Sequence, residues 1–220
     1  MSVGDGEERR RVVVTGVGVV CCLGLTTREF WEGLCAGRTG IAPVERLDMS
    51  GLRNVLGGEV KHPELLNCPT GAASGDLAAC FALAASREAV TDAGILGCVA
   101  PERAGIAFST NFGGAAAWER FATRFSADPV AARPEDLWHY TFEAAATQAA
   151  GHFGFAGPRT TLSLSCSSGA AAIAWGMDAI RCGRADVVLA GGHDALSLSA
   201  LAGLSALRTI TAEMIRPFDR

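Results

Sequence analysis

The segment that most restricts the possible folds is the helix read over residues 167–182. Ala170, Ala171, Ala172, Ile173, Ala174, Trp175, Met177, Ala179 and Ile180 point in every direction around its axis. A helix that is apolar all round has to be covered on all sides, so it cannot be a surface helix over a single sheet. Just ahead of it, residues 160–165 read as a small-residue strand that gives way at Cys166. A sulfur so placed stands at the start of a helix. Backbone N–H groups and the positive end of the macrodipole there favour the thiolate, the nucleophilic form. Ser163, Ser165, Ser167 and Ser168 leave room around it, and Gly169 lets the helix start press on its neighbours. A buried core cysteine is the competing reading, and the residues by themselves leave both open.

Strands and helices alternate along the rest of the chain. The β-branched run 11–20 shows no polar alternation, which predicts a first strand buried on both faces of a mainly parallel sheet. Thr26 or Thr27 can cap a short helix closed by Gly37, and residues 39–72 are irregular apart from an extended signal at 58–60. Asp76 caps a helix that ends at Gly94. Residues 103–109 predict a strand, Gly113-Gly114 a tight turn, and the next helix carries Trp118, Phe121 and Phe125. A helix over 137–152, a strand over 185–190 and a last helix over 199–207 complete the pattern of a layered α/β domain. Residues 1–10 read as a flexible solvated arm and 11–220 as one body.

Several functions are disfavoured by composition and spacing. A net charge of −4, with Arg9, Arg10 and Arg11 as the only basic run, offers no nucleic-acid footprint. The eight cysteines include no C-x-x-C pair, and Cys21, Cys22, Cys35, Cys80 and Cys182 lie in apolar or helical contexts, which suits a reducing, cytoplasmic setting. His62, His139, His152 and His193 stand at no metal-ligand spacing, so no metal is expected. Gly16-x-Gly18 lacks the third glycine of a dinucleotide fingerprint, Cys21 standing there instead, and Gly113-Gly114 lacks a phosphate-loop lysine. The run 12–25 is broken by Gly16 and Gly18 and preceded by acids, unlike a signal peptide, and no stretch reaches the ~20 apolar residues of a membrane span.

Residues 164–170, Leu-Ser-Cys-Ser-Ser-Gly-Ala, followed by 180–192, Ile-Arg-Cys-Gly-Arg-Ala-Asp-Val-Val-Leu-Ala-Gly-Gly, resemble the active-site stretch of the β-ketoacyl-acyl-carrier-protein synthases, condensing enzymes of the thiolase-like superfamily. Residues 12–20 with Leu23-Gly24, residues 37–41 and Arg216-Pro217-Phe218-Asp219 resemble further family motifs in the same order. The resemblance implies a thiolase-like layered α/β fold, in its N-terminal half, with a mainly parallel mixed sheet and helices on both faces. It implies that Cys166 takes an acyl group from an acyl-carrier-protein thioester. Condensation with malonyl carrier protein and loss of carbon dioxide then follow, as in fatty-acid or polyketide synthesis by an acyltransferase of the 3-oxoacyl synthase type. The Cys166 N–H would help hold the thioester oxyanion. Phe112 falls at the family's acyl-pocket position, where it is either a gate or a plain core phenylalanine.

No cofactor is implied, because the substrates ride on the phosphopantetheine of the carrier protein. The partners implied are that carrier protein and a homodimer, a complementary C-terminal half or a second synthase subunit, with pairing through the edge at 160–165. No nucleic acid or membrane is implied. The family's two histidines and lysine belong to a second half, and none of the four histidines here matches those motifs. His193-Asp194 stands where the family has a small residue and glutamate, and reads as structural. Carrier docking would use scattered arginines such as Arg120, Arg124 and Arg133, or the other half. The isolated chain is expected to be incomplete for condensation. A noncatalytic partner subunit, and a Cys-dependent acyltransferase or hydrolase, are the alternatives.

Overall fold

The computed structural model describes residues 10–61 and 76–216. The arm 1–9, His62 and positions 217–219 of the Arg-Pro-Phe-Asp motif lie outside the described residues. Six α-helices are described: α1 (Thr27–Cys35), α2 (Leu77–Ala93), α3 (Ala115–Ala127), α4 (Ala144–Phe153), α5 (Ser168–Arg181) and α6 (Leu198–Ala206). The strands are β1 (Ala42–Pro43), β2 (Leu56–Gly57), β3 (Ala104–Ser109), β4 (Arg159–Leu162) and β5 (Val187–Gly192). Local chemistry sets the helix ends. Thr26 accepts from the Glu29 N–H, Asp76 from the Ala79 N–H and Ser197 from the Ala200 N–H, while Gly94 (φ +62°) stops α2 in the left-handed conformation that glycine reaches without a Cβ clash.

The central sheet runs β4–β3–β5, with both pairings parallel. Alternation along its strands separates two layers. Ile106, Phe108 and Leu189 pack against Ala79 and Ala82 of α2 and Ala145, Ala146, Ala149 and Ala150 of α4. On the opposite face Gly176 of α5 lies against Val188 and Ala190. Helices therefore cover both faces of the sheet. The short antiparallel pair β1–β2 stands apart, and residues of its connection, Val44 and Met49, join Leu201 of α6 in a second apolar cluster.

Only one stripe of α5 is buried, at Ser168, Ala172, Gly176 and Ala179. Ala170, Ile173 and Ala174, on the other side, are exposed, Ile173 to 58%. The all-round apolar surface read from the sequence is thus half covered among the described residues.

Three expectations are corrected. The run 11–20 is not a buried strand: Val13 and Val14 are 73% and 79% exposed, and β3 pairs directly with β5, leaving no slot between them. The extended run lies along α2 instead. Its Val17 and Val19 N–H groups donate to the carboxylates of Asp92 (3.1 Å) and Glu88 (3.0 Å). Gly16 and Gly18 permit the approach, since a Cβ on either would collide with the backbone oxygen of Ala89 or Ala85. The helix expected from residue 137 begins only at Ala144, after a short 3-10 turn at Pro134–Leu137. The intervening backbone packs on the β3–α3 loop, where a Cβ on Gly114 would strike the His139 carbonyl. The strand before the cysteine also ends early, at Leu162 rather than at Ser165.

Candidate active site

Because β3, β4 and β5 are parallel, the segments that leave them converge at one end of the sheet, the usual place for a site in such folds. Those segments carry Thr110, Asn111 and Phe112, then Ser163 to Cys166, then His193 and Asp194.

Cys166 sits in the middle of a 3-10 turn, Ser165–Ser167, directly ahead of α5. The residue before it, Ser165, has φ +54°, a left-handed conformation that costs a non-glycine residue of order 1–3 kcal/mol. Hydrogen bonds hold the turn in place. The Ser168 hydroxyl donates to the Ser165 carbonyl (2.7 Å) and accepts from the Leu164 N–H (2.7 Å), while Ser167 Oγ donates to the Leu164 carbonyl (2.8 Å). Asn111 Nδ2 donates to the same Ser165 carbonyl (3.2 Å), and its Oδ1 lies 3.3 Å from Ser168 Oγ. The strained turn is therefore pinned across the sheet, and Cys166 is left exposed at its tip.

A second knot holds Asn111 itself. The Asp194 carboxylate accepts from the Thr110 hydroxyl (2.6 Å) and from the N–H groups of Asn111 and Phe112 (3.2 Å each). Asp194 thus acts as a loop acceptor, as its position in the sequence led us to expect. His193 packs edge-on to Phe108 at 5.7 Å, and its Nδ1 is buried without a partner among the described residues. Burial brings its pKa down to about 4, against the opposing pull of Asp194.

Phe112 lines a cavity of about 250 Å³ together with Val20, Cys21, Cys22, Phe81, Leu201 and others. Cys166 is exposed and is not part of that lining. The open face of α5 explains the exposure: nothing in the described residues covers the cysteine from that side. His139 bonds to Gln148 and His152 to Arg87, so neither belongs to the site. Among the described residues no group of three His, Cys, Asp or Glu side chains is placed to hold a metal ion, and no helix is long and apolar enough to cross a membrane.

Thr110 and Asn111 were not singled out by the sequence, and Ser168 was read only as leaving room around the sulfur. Polar residues one or two places beyond the ends of neighbouring parallel strands were the signal available.

The profile described as "Beta-ketoacyl synthase, N-terminal domain" matches residues 9–220. The chain belongs to the β-ketoacyl synthase family. Nodulation protein E of Rhizobium sp. (strain N33) is 35% identical over 217 residues, which are 96% of this chain and 53% of that protein. The tetracenomycin polyketide synthase ketoacyl synthase alpha subunit of Streptomyces glaucescens is 32% identical, over 96% of this chain and 54% of its own length. Among solved structures, the ishigamide ketosynthase/chain length factor superposes with a TM-score of 0.87 at 30% identity, over 96% of this chain and 54% of that one. A ketosynthase in complex with a type II polyketide acyl-carrier protein and bound to a hexaketide gives a TM-score of 0.83 at 29% identity, over 94% and 51%. The chain therefore spans about half the length of the relatives it matches. The thiolase-like layered fold expected from the motifs agrees with these synthase neighbours.

Proposed function

We propose that this chain is the nucleophile-bearing half of a β-ketoacyl synthase in polyketide or fatty-acid assembly. The observation that carries the reading is an exposed Cys166 on a left-handed turn, pinned by Asn111 and Ser168 at the carboxyl end of a parallel sheet. Pinning fixes the direction of attack before substrate arrives, which removes an orientational cost from the chemical step.

In the first step the Cys166 thiolate attacks the thioester carbonyl of an acyl carrier protein. The S–C bond to Cys166 forms, the bond to the phosphopantetheine sulfur breaks, and that sulfur leaves with a proton. In the second step decarboxylation of a malonyl carrier protein generates the carbanion that displaces Cys166 and forms the new carbon–carbon bond. Donors that stabilise such charge are worth ~3 kcal/mol each, and the second step would draw them from a C-terminal half. The reading needs no resident cofactor, since acyl groups arrive on phosphopantetheine. Phe112, in the cavity wall, would limit acyl length. β4 pairs only with β3 among the described strands, so its other edge suits pairing with a second synthase chain, of the same or a different kind. A polyketide setting is favoured by similarity to a polyketide synthase subunit and to a type II polyketide ketosynthase.

Incubation with an acyl-carrier-protein thioester, followed by intact mass measurement, tests the proposal. A single acyl adduct that Cys166→Ala abolishes is the expected result. Absence of an adduct, with or without an added C-terminal half, would favour a noncatalytic partner subunit, and release of free acid without a β-keto product would favour a hydrolase.

A further inference from the structure

The cavity beside Phe112 is walled on one side by two consecutive cysteines, Cys21 and Cys22, and both are reduced. The turn that carries them is closed by reciprocal backbone hydrogen bonds between Cys21 and Gly24, at 2.9 and 3.2 Å. Cys21 Sγ accepts the Leu23 N–H at 3.4 Å. Cys22 Sγ fits between Gly40 and Gly58, where a Cβ would come within 2.7 Å and 3.0 Å of it. Burial pushes the Cys22 thiol up, with the neighbouring Cys21 adding to the effect, and both cysteines line the same cavity. Phe81, Phe112, Leu201 and Leu204 give the lining its apolar part, and Arg46, Glu59 and Asp194 its charged part.

Two soft sulfurs next to apolar space complement an organic group that carries one soft atom able to bind both. We propose that Cys21 and Cys22 form a dithiol site for organic trivalent arsenicals, with the organic group seated in the cavity. In the reaction with an arsenoxide, R–As=O, two S–As bonds form and the As–O bond breaks. The two thiol protons leave with the oxygen as one water, and the arsenic stays trivalent. Among the described residues no third His, Cys, Asp or Glu joins the pair, which fits a centre needing two protein bonds and not a caged metal ion. Cys35, Cys98, Cys166 and Cys182 are exposed thiols with no cysteine beside them in the chain, so they offer single bonds only. The site shares its cavity with the acyl pocket of the proposed function but needs neither Cys166 nor condensation, and its test uses no activity.

Phenylarsine oxide titrated into the purified chain, followed by calorimetry and native mass measurement, should bind one equivalent and be removed by 2,3-dimercaptopropanol. Cys21→Ser and Cys22→Ser should each weaken binding by about 100-fold or more, because either one breaks the chelate and its effective concentration is lost. Cys166→Ser, Cys35→Ser and Cys182→Ser should leave binding intact. Leu204→Trp, which keeps both thiols but fills the cavity, should weaken phenyl more than methyl arsenoxide. Circular dichroism verifies that each variant is folded. Full binding in both Cys21→Ser and Cys22→Ser, loss in Cys166→Ser alone, or no binding to a chain whose thiols are titratable would overturn the proposal.

Discussion

The two faces of the central sheet are built from similar residues and end in opposite states. On the α2/α4 face, small side chains are sealed against the strands: Ala146 and Ala149 are fully buried beside Ile106 and Phe108. On the α5 face, Ala172 and Ala179 are equally buried, but Ala170, Ile173 and Ala174 on the same helix point outward and are exposed. The first face is a finished core. The second leaves one flank of α5 open among the described residues, and Cys166 stands just ahead of that helix. An apolar helix with one covered stripe gains its remaining burial only by further packing, so the stability of the chain and the shielding of Cys166 are separable.

Four measurements can break or sharpen this contrast. The largest expected effect is steric. Ala149→Phe forces a ring into the finished core and should cost about 3 kcal/mol in urea unfolding, whereas Ala174→Phe should stay within about 0.5 kcal/mol. Equal costs would erase the distinction between the faces.

The next effect depends on pH. His193, packed on Phe108 of the finished face, stays neutral in the fold down to about pH 4, while in the unfolded chain it charges below its ordinary value near 6.5. Its contribution is complete above about pH 6.5 and is lost as the pH falls through 4, by up to about 3 kcal/mol. Asp76, buried and raised to about 6, works in the opposite sense, favouring the fold at low pH and losing that contribution as the pH rises through 6. The difference between the parent and His193→Gln isolates the histidine: it should change between pH 7 and pH 4.5, and a pH-independent difference would refute the assignment.

Asn111→Ala comes third. It removes the clamp on the Ser165 carbonyl, so about 1 kcal/mol of stability and roughly tenfold in acyl-adduct rate should be lost, the rate being followed by time-resolved mass measurement. Stability lost with an unchanged rate would make Asn111 purely structural. The smallest effect is Ile173→Lys on the open face. It should shift the unfolding midpoint of this chain by less than about 0.5 kcal/mol yet abolish co-purification with a C-terminal half, and retained co-purification would place the companion surface elsewhere.

The capped ends of α2 and the short reach of α1 were readable because caps and stops depend on neighbours three or four residues away, as at Asp76 with Ala79 and at Gly94. The position of Cys166 at a strand–helix junction was readable for the same reason. The clamp around it was not, because Asn111 and Ser165 are 54 residues apart and Asn111 and Asp194 are 83 apart. The helix expected over 137–152 failed where Gly114 needed room against the His139 carbonyl, a demand set by a distant loop. The vicinal cysteines read as small hydrophobes, and only the cavity beside them gives them a different meaning.

The sequence alone determined the alternation of strand and helix, the apolar surface of α5 and the cysteine at its head, because periodicity and capping are properties of short stretches of chain. Tertiary structure decided the rest. The run 11–20 has the residues of a buried strand, yet backbone N–H groups go to whichever acceptors meet them, and here those are the carboxylates of Glu88 and Asp92 rather than a neighbouring strand. The parallel order β4–β3–β5 likewise gathered Asn111, Cys166 and Asp194 at one end, since only the sheet's direction determines which loops share a site.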